Sequence, residues 1–300
     1  MNLPINQIIC GDNVETLRGF PADSIDLTVT SPPYDNLRTY GGHSWDFEGV
    51  AQQLWRVTKP GGVVVWVVAD ATINGSETGT SFRQALRFME IGFRLHDTMI
   101  YKKANVGGAR GSVNAYWQAF EFMFVLSKSI PKAFNPIEDR KNAKGGMVVT
   151  AGGRRNADGT TTKNAPMLIA ENGRRLNVWT ISTANIGGDH PAPFPEALAR
   201  DHILSWSNEG DTVLDPFSGS GTTAKMAKHN GRQFIGIEVN PEYCEIAEER
   251  LRQGVLFCTE NHTLSTGSTL TGGGSTCFGS CPQLIAVRRF PAKRLRRRGG

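Results

Sequence analysis

Short apolar runs alternate with amphipathic segments along most of the chain, a pattern typical of strands that alternate with helices. Residues 63–69 are continuously apolar, as in strands covered by helices on both faces of a parallel sheet. Residues 24–30 alternate in polarity and are rich in β-branched side chains, which predicts another strand. Further strands are predicted at 5–10, 94–102, 120–126, 212–214 and 233–237, helices at 14–19, 48–57, 81–91, 193–205, 222–229 and 241–253, and a turn at 59–62. This order predicts an α/β fold with a doubly wound sheet.

The periodicity is lost between residues 128 and 188, where Gly, Asn, Thr, Lys and Arg dominate. Between residues 128 and 175 there are ten basic residues and four acidic ones. A solvated basic loop and a patch that faces nucleic-acid phosphates both fit this composition. We interpret the segment as an insertion or a small recognition region.

The overall charge is less informative than this local excess. The net charge is +5, but residues 282–300 hold seven basic residues and no acidic ones, and without them it falls to −2. The body of the chain is therefore near neutral, and its charge alone does not indicate a nucleic-acid partner.

Several function classes are disfavoured by what the sequence lacks. The apolar runs are too short to span a bilayer, and the first residues do not resemble a secretory signal. The five cysteines show neither a disulfide framework nor metal-ligand spacing, and the histidines are not spaced as metal ligands. We therefore expect a cytoplasmic protein without a metal site.

The segment DPFSGSGTT, at residues 215–223, joins a predicted strand to a predicted helix. Gly219 and Gly221 would let a ligand approach backbone N–H groups at the helix start. Glu238 ends the next predicted strand, where an acidic group can bind ribose hydroxyls. Asp215 suits a cationic amino group better than a pyrophosphate, and GxGxxG is absent, so an adenosyl amino acid is favoured over a dinucleotide. A tight turn without a ligand is the remaining alternative.

The segment TSPPY follows the strand at 24–30. Pro32 and Pro33 have no N–H group and a fixed φ, and Ser31 is held extended before them. Such a stiff loop presents oxygen acceptors that could bind the hydrogens of an exocyclic base amine and make its nitrogen more nucleophilic. Tyr34 could stack on a base that has left the duplex. A rigid turn without chemistry fits the pentapeptide alone.

In combination, the motifs resemble those of the β-group DNA amino-methyltransferases. The matching segments are GDNVETL, TSPPY, HPAPFPEAL and DPFSGSGTT followed by FIGIEVNPEYCEIA, and they cover about residues 5–253. The resemblance implies a class I, Rossmann-like methyltransferase fold with a seven-stranded mixed sheet. The catalytic motif precedes the cofactor motif, which is the circularly permuted order of that group, and a target-recognition region is inserted between them.

The resemblance also implies a cofactor, S-adenosyl-L-methionine, and a role for each matched residue. Asp12 would approach the adenine amino group, Asp215 would serve the methionine amino group and Glu238 would hold the ribose. The methionine side would be lined by Phe217, Gly219, Gly221 and Thr222, with Phe194 and Pro195 packed nearby. The base pocket would be formed by Ser31, Pro32, Pro33 and Tyr34.

The same resemblance divides the chain into four parts. Residues 1–127 and 189–254 would form the catalytic and cofactor-binding parts of one domain, with residues 128–188 as the target-recognition region. The strand at 5–10 would lie beside the strand that ends in Glu238. Residues 255–300 would be a disordered basic tail. Double-stranded DNA is the expected partner, a cognate restriction endonuclease is compatible with the resemblance, and the oligomeric state stays open.

The prediction of the target base rests on Ser31 and on the absence of a Pro-Cys pair at a strand end. Adenine-directed members usually carry Asp at the position of Ser31, so serine favours cytosine N4. No Pro-Cys pair stands at a strand end, which argues against covalent methylation of cytosine C5. Adenine N6 remains the alternative base. A DNA-binding protein without catalysis, or methylation of RNA or protein, fits the intact motifs and the basic insertion less well.

Overall fold

The computed structural model describes residues 2–33, 45–105, 116–150, 152–162, 165–183 and 195–253. The main sheet consists of β1 (Gln7–Cys10), β2 (Ile25–Thr30), β3 (Thr58–Val68), β4 (Arg94–Lys103), β5 (Phe120–Ser127), β6 (Val178–Ile181), β7 (Thr212–Asp215) and β8 (Gln233–Glu238). The helices are α1 (Asn13–Arg18), α2 (Phe47–Val57), α3 (Thr80–Ile91), α4 (Glu196–Trp206), α5 (Thr222–His229) and α6 (Pro241–Arg252). The tail predicted at 255–300 lies outside these residues.

The sheet is mixed, as the resemblance implied, and its order is β1-β8-β7-β2-β3-β5-β4-β6. The first five strands in this order are parallel, whereas β5 is antiparallel to both of its neighbours. The α/β prediction is therefore confirmed. The N-terminal prediction is confirmed as well, because β1 pairs parallel with β8 and places Cys10 opposite Glu238.

Among the described residues, the main sheet has eight strands where seven were expected. The additional strand, β6, pairs parallel with β4 and extends the edge of the sheet, with Val178 opposite Ile100. It lies inside the segment interpreted as an insertion. Four residues are too few to show a period of two, but the run Val-Trp-Thr-Ile consists of strongly β-forming side chains.

The turn predicted at 59–62 is instead an irregular part of β3. Ile25 pairs with Thr58 and Leu27 pairs with Val63, so the intervening residues of β3 bulge away from β2. Gly61 has a φ of +84°, which fits the positive φ that bulges and turns share. The Pro-Gly-Gly signal therefore marked a real backbone irregularity, but one inside a strand.

Both faces of the sheet are covered by helices, which explains the unbroken apolar run in β3. Val64 and Trp66 pack in the cluster that contains the buried side chains of α1, α2 and α3. Val63 and Val65 belong to the opposite cluster, with side chains from α4 and α5. Each fully buried side chain of this size contributes about 1.5–3 kcal/mol to folding.

A two-stranded arm occupies the centre of the basic insertion. Its antiparallel ladders join Arg140–Lys141 with Asn172–Gly173, Val148–Thr150 with Pro166–Leu168, and Arg154–Arg155 with Thr161–Thr162. The three ladders are nested in sequence, so the chain runs out along one strand and returns along the other. Just beyond the arm, Arg175 bonds Asp139 and also Asp201 of α4, which anchors the base of the arm to that helix.

The described part of the chain contains no helix that is both long and apolar enough to cross a bilayer.

Candidate active site

Two loops of different origin leave the sheet side by side. Strand β2 ends at Thr30 and β7 ends at Asp215, and the two strands are parallel neighbours, with Thr28 opposite Leu214. Strand β8, which ends at Glu238, flanks β7 on its other side. The start of the TSPPY segment and the DPFSGSG loop therefore emerge from the same edge of the sheet, as ligand-binding loops of open α/β folds do.

Asp215 is a buried carboxylate at this edge. Its Oδ1 accepts a hydrogen bond from the Thr30 hydroxyl at 2.6 Å and another from the Phe217 N–H at 3.1 Å. Burial raises the pKa of Asp215 to about 6, although hydrogen bonds from Thr30, Phe217 and Thr223 lower it and the charge of Glu238 raises it further. A carboxylate held in this way is stabilised when a cation binds beside it.

Glu238 connects the end of β8 to the glycine-rich loop. Its Oε2 accepts the N–H of Gly219 at 2.8 Å, and its Oε1 accepts the N–H of Asn240 at 2.9 Å. A carboxylate has about four acceptor positions, so two backbone bonds leave capacity for ligand hydroxyls. The strand-end position and this remaining capacity suit a sugar.

The backbone of the loop requires glycine at two positions. Gly219 and Gly221 have φ values of +50° and +77°. A Cβ at Gly221 would lie 2.8 Å from the Cβ of Ala247, so this glycine also lets α6 pack directly behind the loop. The helix α6 therefore packs directly against the loop at Gly221.

An ion-pair network that the sequence did not predict holds the loop from α6. Arg250 donates through Nη1 to the Ser220 carbonyl at 2.7 Å and to the Thr222 hydroxyl at 3.2 Å. Through Nη2 it binds Glu196 at 2.9 Å, and Lys225 binds the same Glu196 oxygen at 2.7 Å. The hydroxyl of Thr222 is thus engaged with α6. Glu196 stands in the HPAPFPEAL motif, whereas nothing in the sequence around Arg250 indicates the contact.

The remaining predicted residues that the structure describes lie around the same edge. Asp12 is exposed just after β1 and caps α1, accepting the N–H of Glu15 at 2.9 Å. Pro195 caps α4, one residue before Glu196. After β2, Pro32 is buried, while Ser31 and Pro33 are half-buried. Tyr34 and Phe194 fall outside the described residues.

Phe217, within the glycine-rich loop, connects this loop to an aromatic cluster. Its ring meets the edge of Trp45 at a centroid distance of 4.9 Å and lies 6.2 Å from the fully buried Trp66. Trp45 is the first described residue after the gap at 34–44, and none of the motifs recognised in the sequence includes it.

Comparison with known proteins decides the family. A family model described as DNA methylase, of the N6/N4 methyltransferase type, matches residues 25–249. The chain belongs to this DNA methylase family. The match includes the TSPP segment, the loop at 215–223 and Glu238, so the edge of the sheet just described lies within the part of the chain that defines a DNA amino-methyltransferase.

Individual proteins similar to this chain are also named as DNA methyltransferases or methylases. The orphan methyltransferase M.BamHII of Bacillus amyloliquefaciens is 54% identical over 243 residues, which cover 78% of this chain and 91% of the relative. The DNA adenine methyltransferase YhdJ of Escherichia coli K12 is 28% identical, with 81% and 82% covered. A DNA modification methylase of Thermus thermophilus, solved with S-adenosyl-L-methionine, is 26% identical with a TM-score of 0.54, covering 82% and 94%.

S-adenosyl-L-methionine is the cofactor of the methyltransferase, and the residues present fit it. Its amino group is cationic and its ribose carries hydroxyls. The buried Asp215 and the strand-end Glu238 offer one carboxylate for each.

Cofactor binding is expected to weaken as the pH falls through about 6. We propose that Asp215 binds the amino group of the cofactor, which it can attract only as a carboxylate, and its pKa of about 6 means that protonation removes that charge. Below this pKa, affinity should fall by up to about tenfold per pH unit. The contribution to folding has the opposite sign, because the raised pKa stabilises the fold at low pH and loses that effect as the pH rises to about 6.

Calorimetric titration with S-adenosyl-L-methionine at pH 5, 6 and 7 measures this directly. The Asp215→Asn variant is the control, since it should bind weakly with little change over the same range. Equal affinity of the unaltered protein at pH 5 and pH 7 would contradict the assignment.

Proposed function

We propose that the methyltransferase transfers a methyl group to the N4 amino group of cytosine in double-stranded DNA, on a base flipped out of the helix. The observation that carries this proposal is the placement of Ser31, Pro32 and Pro33 directly after β2, beside the loop that begins at Asp215. An amine bound by the first segment would lie next to a cofactor bound by the second.

The chemistry of the base segment follows from its residue types. The N4 nitrogen is a weak nucleophile because its lone pair is delocalised into the ring. The Ser31 hydroxyl and the Pro32 carbonyl would accept hydrogen bonds from its two hydrogens, which favours a tetrahedral nitrogen with an available lone pair. Tyr34 would stack on the ring and hold it out of the duplex.

The residues of the cofactor side would bind and orient rather than react. S-adenosyl-L-methionine supplies an electrophilic methyl group. Asp215 would bind its amino group, Glu238 its ribose and Asp12 its adenine amino group. The methionine portion would be lined by Phe217, Gly219 and Gly221, with Thr222 at the helix start and Phe194 and Pro195 nearby.

Serine at position 31 is the reason for favouring cytosine over adenine. Its hydroxyl is neutral, whereas the adenine-directed members of the group usually place a carboxylate there. Adenine N6 is the alternative, and it is supported by a relative named as an adenine methyltransferase. Both reactions would use the same acceptors, so only the product distinguishes them.

The arm within residues 128–188 would form the main part of the target-recognition region. A two-stranded β-ribbon fits the major groove of B-DNA, where each base pair presents a distinct pattern of donors and acceptors. The strands of the arm carry Arg140, Lys141 and Arg155 in their ladders. Basic side chains at these positions would contact phosphates and place the ribbon in register on the duplex.

Replacing the exposed Arg155 with alanine is expected to weaken DNA binding for all sequences. The slope of log K against log salt concentration should fall by about 1, because one phosphate contact releases about one counterion. Arg252→Ala is the matched control, since Arg252 is an exposed arginine at the end of α6 that pairs with Glu249. Fluorescence anisotropy with labelled duplex at several salt concentrations gives both slopes, and equal slopes for the two variants would refute the role of the arm.

Sequencing that detects modified bases directly, on DNA from a host expressing the protein, tests the proposed function in the cell. We expect N4-methylcytosine at one recurrent sequence, and a much smaller modified fraction of those sites in a host expressing the Ser31→Ala variant. Modified adenine at a recurrent sequence would replace cytosine N4 with the alternative. Unmodified DNA from a host with abundant folded protein would refute the proposal.

A further inference from the structure

Two described residues, Thr30 before the segment Ser31–Pro33 and Trp45 after it in the chain, contact the cofactor loop. The last residue before the segment is Thr30, whose hydroxyl donates to Asp215 at 2.6 Å, and both side chains are buried. The first described residue after it is Trp45, whose ring packs edge-on against Phe217 at 4.9 Å, with an interplanar angle of 78°. Thr30 and Trp45 thus both contact the loop that begins at Asp215.

The first attachment acts on the charge of Asp215. The Thr30 hydroxyl and the Phe217 N–H donate to the same carboxylate oxygen. A hydrogen bond to the charged form favours that form, so Thr30 opposes the effect of burial, while the charge of Glu238 on β8 acts in the same direction as burial. Removing the hydroxyl should raise the pKa of Asp215 above about 6.

The second attachment is a rigid contact with the core. Besides Phe217, Trp45 packs near Phe47 at 5.9 Å and near Trp66 at 6.1 Å. Trp66 is itself fixed, because it is fully buried and its indole N–H donates to Gln84 at 2.9 Å. Trp45 therefore holds the chain just before α2 against Phe217, the second residue after Asp215.

We infer that Thr30 and Trp45 are positioning residues for methyl transfer, which hold the base-binding segment at a fixed distance from the cofactor loop. The inference rests on the proposed role of residues 31–34 in binding the target base, but it is independent of which base that is. A misplacement of about 1 Å between reacting groups can cost about 10²-fold in rate, so two attachments near the reacting centre have a large effect without touching substrate.

The Thr30 attachment is tested by comparing Thr30→Val, which keeps the shape and loses the hydroxyl, with Thr30→Ser, which keeps the hydroxyl. The readouts are the single-turnover methylation rate of unmethylated genomic DNA with saturating tritiated S-adenosyl-L-methionine, and the pH dependence of cofactor affinity. The single-turnover rate of Thr30→Val should be about 10–100-fold lower, and as the pH is lowered its cofactor affinity should begin to fall at a higher pH than that of the unaltered protein. The rate of Thr30→Ser should stay within about threefold of the unaltered rate. If the two variants behave alike, or if Thr30→Val loses affinity equally at every pH, the role of the hydroxyl is refuted.

The Trp45 attachment is tested with Trp45→Ala and Trp45→Phe in the same assay. Trp45→Ala should lose at least about tenfold in single-turnover rate with cofactor affinity within about threefold, and Trp45→Phe should retain most of the rate. Trp55→Ala is the matched control, because Trp55 packs on Phe93 at 5.0 Å, and its loss should lower stability without lowering the rate of the folded protein. Equal rates for Trp45→Ala and Trp55→Ala would overturn the inference. Mass spectrometry of the product nucleosides separates this outcome from a wrong base assignment, since methylated adenine would leave both comparisons valid.

Discussion

Replacing Ser31 with alanine is expected to lower the methyl-transfer rate by about 10²–10³-fold while leaving cofactor affinity nearly unchanged. The proposed role of the hydroxyl is to accept a hydrogen bond from the target amine, and such an acceptor matters most as the nitrogen becomes tetrahedral. The groups proposed to bind the cofactor, Asp215 and Glu238, lie at the ends of other strands and keep their contacts. The effect should therefore appear in kcat and not in the Kd of S-adenosyl-L-methionine.

Ser24→Ala is the matched control, because Ser24 stands at the opposite end of β2 and its hydroxyl bonds the Pro21 carbonyl at 2.7 Å. It removes the same atom next to the same strand, away from the edge at which Thr30 meets Asp215. Single-turnover rates and calorimetric affinities of both variants give the comparison. A Ser31→Ala rate within a few-fold of the Ser24→Ala rate would remove Ser31 from the reaction.

Replacing Gly221 with alanine is expected to cost about 2–5 kcal/mol of unfolding free energy, from a strained backbone and from overpacking. Its φ is +77°, which side chains rarely adopt, and the new Cβ would lie 2.8 Å from Ala247 on α6. Either the loop or the helix must move. Since Arg250 on the same helix also holds Ser220, the displacement should reach the cofactor site and lower cofactor affinity.

The Gly210→Ala variant separates backbone strain from overpacking as causes of the lost unfolding free energy. Gly210 has a φ of +84°, but a Cβ there would meet nothing within 4 Å, so only the backbone cost of about 1–2 kcal/mol should appear. Urea unfolding monitored by fluorescence measures both variants, with cofactor titration as the second readout. Equal losses of stability, with cofactor affinity retained in both, would show that α6 does not constrain the loop.

Most of the fold could be predicted because most of its strands and helices carry a local signal in the sequence. The continuous apolar run of β3 predicted burial on both faces, and its alternate residues indeed pack in two separate clusters. The strand at the N-terminus was predicted to lie beside the one ending in Glu238, and the pairing of β1 with β8 confirms it. Strand β6 was missed because four residues in an irregular, polar segment show no period.

The candidate site likewise contains residues that could be predicted from the sequence and residues that could not. Asp215 and Glu238 were selected because a Gly-rich turn between a strand and a helix, followed by an acidic strand end, has a recognisable chemistry. Arg250, Thr30 and Trp45 were not selected, although each contacts the cofactor loop. Their contacts depend on how helices and loops pack after the sheet has formed, and that packing has no signature in the neighbouring sequence.

Mass spectrometry of the nucleosides from DNA treated with the purified protein and S-adenosyl-L-methionine identifies which base the methyltransferase modifies, and at which atom. We expect N4-methylcytosine, formed by direct transfer to the amino group, and an initial rate of its formation about 10²–10³-fold lower with the Ser31→Ala variant. N6-methyladenine as the product would contradict the base assignment while keeping the chemistry of amine activation. The appearance of 5-methylcytosine would contradict the mechanism itself, because carbon methylation needs a covalent nucleophile that the TSPPY segment does not provide.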